Sequence, residues 1–261
     1  HWQTFKAAMI QVKNTLQLAA MSDAGRITGE ALLAAREALR EGMTTWELDK
    51  VIHDYIVRAG AKPSFLGYYD FPASACISIN DEVIHGIPSK KRVIRAGDIV
   101  KIDVGAYYKG FHGDAARTIA VGDVSPVAQK LIEVTRESFF RGIAAIKVGN
   151  RIGDVGHAID AYVVENGFST VKRYIGHGVG AELHEQPDVP NYGTPGRGTR
   201  LCNGMTLAIE PMVNVGGEDV DENPDGWTVT TSDHSLSAHY ENTIALVGDK
   251  VEILTLIDPQ F

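Results

Sequence analysis

Two stretches of this chain, 107 positions apart, carry the same punctuation. Gly42 matches Gly149, Ile52 matches Ile159, Tyr55 matches Tyr162, Val57 matches Val164 and Gly60 matches Gly167. The same offset places Gly97 on Gly204 and Asp103 on Glu210. One offset that serves both a helical and a strand-like stretch marks a duplicated unit, and restricts the chain to folds built from two related halves. Each half reads helix, helix, strands. Helical periodicity covers residues 24–41 and 45–59, the second with a stripe of Leu48, Val51, Ile52, Tyr55 and Ile56. Thr44 or Thr45 caps that helix, with Glu47 in its first turn. Strand-like runs follow at 75–79, 98–104 and 115–121. The second half predicts helices over 126–146 and 152–166, then strands at 205–209, 241–247 and 251–256. No linker divides the halves. The expectation is an α+β fold, one domain over 9–261, with halves of about 9–122 and 123–256 related by approximate two-fold symmetry. Asp103 and Glu210 then sit in equivalent places near the axis. Met9 opens a helical pattern and reads as a native start, which leaves residues 1–8 as an added or disordered segment.

Composition excludes several classes. With 44% hydrophobic residues over 261 positions, the chain has material for a substantial core and is not a disordered protein. Its 25 Lys and Arg face 33 Asp and Glu, and the net charge of −8 argues against nucleic-acid binding by phosphate neutralisation. No apolar run approaches the roughly 18 residues that would predict a membrane span. Cys76 and Cys202 belong to no thiol or zinc motif and read as reduced thiols of a cytoplasmic protein.

The chemistry concentrates in strand-like segments. In the run 97–104, Val100, Ile102 and Val104 share one face, and Ile99, Lys101 and Asp103 share the other. Asp114 follows eleven residues after Asp103, a spacing that suits a hairpin with the two acids on neighbouring strands. Glu210 ends one apolar run and Glu241 opens another. A lone Asp at a strand end is usually a turn former or a surface group. Four acids in apolar segments need neutralising, and divalent cations are the economical answer. Among nine histidines, three have a distinctive setting: His85 in a turn after a strand, His177 between glycines, and His184 shortly after. His53 and His157 fall in helical patterns, while His1, His112, His234 and His239 show no special context. The glycines around His177 lack the lysine and spacing of a phosphate loop.

Together, His85 in HGIP, Asp103 in KIDVG, Asp114 in HGDAAR, His177 in GHGVG, His184 in LHEQP, Glu210 in IEP and Glu241 in YENT resemble the methionine aminopeptidases. The match is to the type I bacterial form and covers most of 9–254. The resemblance implies a pita-bread fold, two pseudo-symmetric α/β halves around a dinuclear metal centre. It implies five ligands: Asp103 for one ion, His177 and Glu210 for the other, Asp114 and Glu241 bridging. It also implies attack of metal-activated water on the first peptide carbonyl. His184 then steadies the carbonyl oxygen, His85 assists the leaving amine, and Glu210 shuttles the proton. One imidazole and four carboxylates suit Mn, Fe, Co or Zn.

The resemblance places Phe65, Tyr68, Phe71, Cys76, Leu183 and Trp227 around the methionine side chain. Phe65 stands where bacterial relatives often have Cys, and Leu183 where they often have Phe; an exchange of bulk between the two would preserve the pocket. A sodium or potassium ion is implied at Asn80 and Ser237. Implied too is a monomer acting on nascent polypeptides, with transient ribosome association. His184 and Glu210 are 26 apart, and Glu210 and Glu241 are 31 apart, which leaves no room for the helical insertion of type II relatives. Rival readings are an X-Pro peptidase of the same fold, a non-enzymatic binding relative, and a generic metal-binding protein. The intact constellation disfavours the binding relative.

Overall fold

A computed structural model of the chain describes residues 9–261. The expectation for residues 1–8 lies outside the described residues. Helix α1 spans Thr15–Ala38 and starts well before the predicted position 24. Its signal is a cap: the Asn14 side chain accepts from the Gln17 N–H, and the Gln17 side chain accepts from the Asn14 N–H. Helix α2 spans Thr45–Arg58, capped by Thr44 and Glu47. Helices α3 (Pro126–Ala144) and α4 (Ile152–Glu165) form the corresponding pair.

The strands follow in chain order. The first half supplies β1 (Lys62–Pro63), β2 (Ala75–Ile79), β3 (Glu82–Ile84), β4 (Ile99–Tyr108) and β5 (Phe111–Ala120). The second supplies β6 (Ser169–Thr170), β7 (Gly176–Gly178), β8 (Glu185–Val189), β9 (Thr206–Ile209) and β10 (Met212–Asn214). After these come β11 (Val220–Glu222), β12 (Val229–Thr231), β13 (Ser237–His239), β14 (Glu241–Val247) and β15 (Lys250–Ile253). A nine-stranded sheet runs β1-β4-β5-β14-β9-β7-β8, with β2 added on β4 and β15 on β14.

The offset of 107 holds in three dimensions. α4 begins and ends 107 residues after α2, and β9 begins 107 after β4. The bridge Thr44–Val93 recurs as Arg151–Arg200. The paired glycines share one backbone state: Gly42 and Gly149 at φ 88° and 94°, Gly60 and Gly167 at 80° and 82°, Gly97 and Gly204 at 91° and 86°. This left-handed region favours glycine, which is why these positions survive the divergence of the halves.

Each half buries its helices on one face of the sheet. Val100, Ile102 and Val104 pack with Ile27, Leu32, Leu48 and Ile52. Leu207, Ile209 and Ile244 pack with Leu131, Val155, Ile159 and Val163. Each such aliphatic side chain contributes about 1.5–3 kcal/mol on burial. Alternation sends the neighbouring residues, Lys101 and Asp103 among them, to the opposite face.

Candidate active site

Five adjacent strands of the sheet, β4-β5-β14-β9-β7, each deliver one carboxylate or imidazole to that opposite face. Asp103 comes from β4, Asp114 from β5, Glu241 from the start of β14, Glu210 from just beyond β9, and His177 from β7. The predicted hairpin is present: Asp114 sits opposite Gly105 in the β4–β5 ladder, and Asp103 opposite Ala116. Ala116 in turn faces Glu241. Asp103, Asp114, His177 and Glu241 are buried.

His177 depends on its glycines. A Cβ at Gly176 would meet the Ala208 carbonyl oxygen at 2.3 Å, and one at Gly178 the Gln186 carbonyl oxygen at 2.3 Å. Both neighbours are backbone and have no way to yield. The His177 Nδ1–H donates to the Gly178 carbonyl at 2.8 Å. That leaves Nε2 as an acceptor, 3.5 Å from both Asp114 Oδ2 and Glu210 Oε1. The His184 ring stands 4.0 Å from that of His177, and its Nδ1 meets the Tyr68 hydroxyl at 2.9 Å. The next residue, Glu185, is held by a buried ion pair to Lys13 at 2.5 Å, which ties β8 to the segment before α1.

All six residues expected around methionine fall in one apolar cluster. Phe65, Phe71, Cys76 and Leu183 are its buried members, and Tyr68 and Trp227 pack against it. Ala73 and Ile87 complete it. Phe65 and Leu183, the pair suspected of exchanging bulk, share this cluster. Trp227 meets Phe71 edge-on at 5.1 Å and His85 edge-on at 6.3 Å. His85 takes φ 61°, a strained state for a non-glycine residue, and also meets Tyr174 edge-on.

The sequence profile of metallopeptidase family M24 matches residues 19–247. The methionine aminopeptidase of Clostridium acetobutylicum is 52% identical over 250 residues, covering 96% of this chain and 100% of that protein. The crystal structure of methionine aminopeptidase from Thermotoga maritima superposes with a TM-score of 0.93 at 44% identity, covering 95% of this chain and 99% of that one. The prolidase from Pyrococcus furiosus follows with a TM-score of 0.77 at 26% identity, and the chain covers 66% of it. The chain belongs to metallopeptidase family M24, among its methionine aminopeptidases. The fold is the pita-bread fold the repeat and the resemblance predict, and the X-Pro reading has the weaker match in both sequence and length.

The donor set of this M24 member fits divalent cations. Burial pushes the Asp103 and Glu241 carboxyls well above the usual carboxylate range, and the neighbouring acids push them further. Burial raises Asp114 to about 8. Asp103 Oδ1, Asp114 Oδ1 and both Glu241 oxygens are buried without a hydrogen-bond partner among the described residues. The nearby guanidinium of Arg117 does not satisfy them, because it donates to the carbonyls of Ala116 and Glu241 and to Asn242 Oδ1. Acids forced to hold protons by burial and mutual repulsion are discharged by a cation set among them.

Three features escaped the sequence reading. His239, seen there without special context, is 1% exposed, with its Nε2 3.4 Å from Glu210 Oε2 and 3.9 Å from Glu241 Oε2. Both its ring nitrogens lack a hydrogen-bond partner among the described residues, and burial pushes its pKa down to about 3. With Glu210 and Glu241 it forms a second group able to hold a metal, beside Asp114, His177 and Glu241. The available signal was its spacing of one strand period from Glu241. Tyr174 beside His85 is the second feature. The third is the role of Lys101 at Asn80 and Ser237, a pair the sequence reading named and the fold does bring together. The amine of Lys101 stands at their carbonyls.

Proposed function

We infer that the chain removes the N-terminal methionine of peptides and proteins by hydrolysing the first peptide bond. The observation that carries this reading is the union of an apolar, sulfur-bearing pocket with a carboxylate–imidazole cluster, joined where Cys76 faces Asp103 across β2 and β4. Asp103, Asp114, His177, Glu210 and Glu241 would hold two divalent cations, drawn from Mn, Fe, Co and Zn, with His239 beside them. When bound, such a pair supplies a water ionised near neutral pH and pulls electrons from a carbonyl.

The remaining work falls to this chain's side chains. Glu210 turns one oxygen toward His177 and the other toward His239, a position from which it takes and returns a proton. With the Tyr68 hydroxyl as the donor to His184 Nδ1, the proton of that imidazole rests on Nε2, the atom that would meet the carbonyl oxygen as charge develops. Burial pushes His85 down to about 3, so it meets the scissile amide as a neutral ring. Phe65, Tyr68, Phe71, Cys76, Leu183 and Trp227 enclose the unbranched thioether side chain.

The chain acts as one catalytic domain from Met9 onward, its halves meeting near residue 122. It works as a monomer on nascent chains in the cytoplasm, in transient contact with the ribosome. Cys76 and Cys202 are free thiols, which fits a reducing compartment. Among the described residues no helix is long and apolar enough to cross a membrane. The test is release of methionine from Met-Ala-Ser with Mn or Co present, without cleavage of Ala-Pro peptides. No release with any divalent metal rejects the assignment.

A further inference from the structure

Lys101 is a charged side chain buried in the sheet, with 1% of its surface exposed. It lies on β4 one strand period before Asp103. Its Nζ donates to the Asn80 carbonyl at 2.7 Å and to the Ser237 carbonyl at 2.9 Å. Asn80 belongs to the first half and Ser237 to the second. The Ser237 N–H also donates to the Asn80 carbonyl, at 3.1 Å. The Asn80 side chain is committed elsewhere, its Nδ2 to Asp98 and its Oδ1 to the Ile99 N–H. Its main-chain oxygen is therefore the atom that meets the amine, presented from a left-handed backbone at φ 57°.

Two main-chain carbonyls converging on a monovalent charge form the kind of oxygen cage an alkali-metal ion takes. The family resemblance put sodium or potassium at these two residues. A second cation on the same two oxygens would stand within about 4 Å of the ammonium, where like charges repel strongly in a buried site. The residues therefore do not fit the ion.

We propose that the Lys101 ammonium is a built-in monovalent cation that takes the place of an alkali-metal ion and pins the Asn80 turn to the Ser237 strand across the two halves. The pin lies close to the metal-ligating side chains on both sides. Lys101 is two residues from Asp103, and Ser237 is two from His239 and four from Glu241. The chain then folds and holds its site without sodium or potassium. The inference does not rest on the proposed activity, because its readout is stability.

The experiment compares melting temperatures in sodium, potassium and tetramethylammonium chloride at equal ionic strength and constant divalent metal. It is run at pH 6.0, well below the ordinary pKa of a lysine amine. The wild-type protein melts at the same temperature in all three salts. Lys101→Ala, which opens the space, melts lower in tetramethylammonium and regains most of the loss in sodium or potassium. Lys101→Met, which fills the space with an apolar chain, gains nothing from either ion. A wild-type protein stabilised by sodium or potassium over tetramethylammonium overturns the proposal, as does a folded Lys101→Ala that neither ion rescues. Should Lys101→Ala fail to fold, thallium soaked into wild-type crystals decides. The proposal expects no anomalous peak between the Asn80 and Ser237 carbonyls, and a peak there refutes it.

Discussion

Cys76 stands directly opposite Asp103 in the β2–β4 ladder. One residue belongs to the apolar pocket and the other to the acid cluster, so the backbone itself fixes the distance between the two. A thiol in this position is inert as a nucleophile, because burial and the nearby acids push it far above its usual pKa. It acts as a small apolar wall.

The pocket offers a test of compensating bulk. Phe65 and Leu183 lie in the same cluster, so their substitutions couple rather than add. Phe65→Cys opens a cavity and raises KM for Met-Ala-Ser by about tenfold, in line with the 2–5 kcal/mol scale of core truncations offset by partial collapse. Leu183→Phe alone overpacks the site and also raises KM. The double variant Phe65→Cys with Leu183→Phe recovers most of the lost kcat/KM. Additive losses in steady-state kinetics show that the two side chains fill separate spaces.

The carboxylates predict how metal and pH combine. Without metal, the folded protein holds a proton on Asp114 up to about pH 8, whereas the unfolded chain releases it near 3.8. Asp103 and Glu241 are raised in the same sense. Across that window the folded state binds more protons, so raising the pH favours unfolding, and the full penalty is reached above about pH 8. A cation at the acids removes the penalty. The gap in Tm between Mn-loaded and chelator-treated protein therefore widens from pH 5 to pH 8. Lys101 is common to both forms and cancels from the difference. A gap that stays constant or narrows shows that these acids are not where the metal acts.

His239 supplies a third prediction. Its Nε2 faces both Glu210 and Glu241 from full burial, with no hydrogen bond from the described residues to hold it there. On the two-ion reading proposed above, His239→Ala weakens one Mn site by about 10- to 100-fold, the range seen when groups around a metal are removed. Isothermal titration resolves the two events. Two sites of unchanged affinity place His239 outside the metal centre.

Much of this arrangement was legible before the fold was known, because it rests on local rules. The repeat glycines announce left-handed turns, Thr44 and Glu47 announce a cap, and alternation around Asp103 assigns its face. The failures share a cause. Strand β7 is three residues long and two are glycines, so it has no alternation to read; it exists because β9 and β8 pair with its backbone. The pin at Lys101 joins a side chain to a carbonyl 136 positions away, a relation carried by main-chain oxygens that every residue has. The start of α1 was missed because Asn14 and Gln17 cap it before any apolar stripe begins.

His184 separates catalysis from metal binding. It follows β7 closely enough for its ring to lie 4.0 Å from that of His177. Its Nδ1 meets the Tyr68 hydroxyl, and with that hydroxyl as donor the ring proton sits on Nε2, the atom proposed to meet a carbonyl oxygen. Removing a donor that acts on developing negative charge costs about 10²–10³ in kcat. His184→Ala therefore lowers kcat by that factor while metal content, measured on the purified protein, stays at the wild-type value. Tyr68→Phe keeps the ring packed and removes only the hydroxyl that fixes the tautomer, so its loss is smaller and falls on kcat more than on KM. Loss of metal from His184→Ala makes the residue a ligand. A Tyr68→Phe protein as slow as His184→Ala makes the hydroxyl itself the group that meets the substrate.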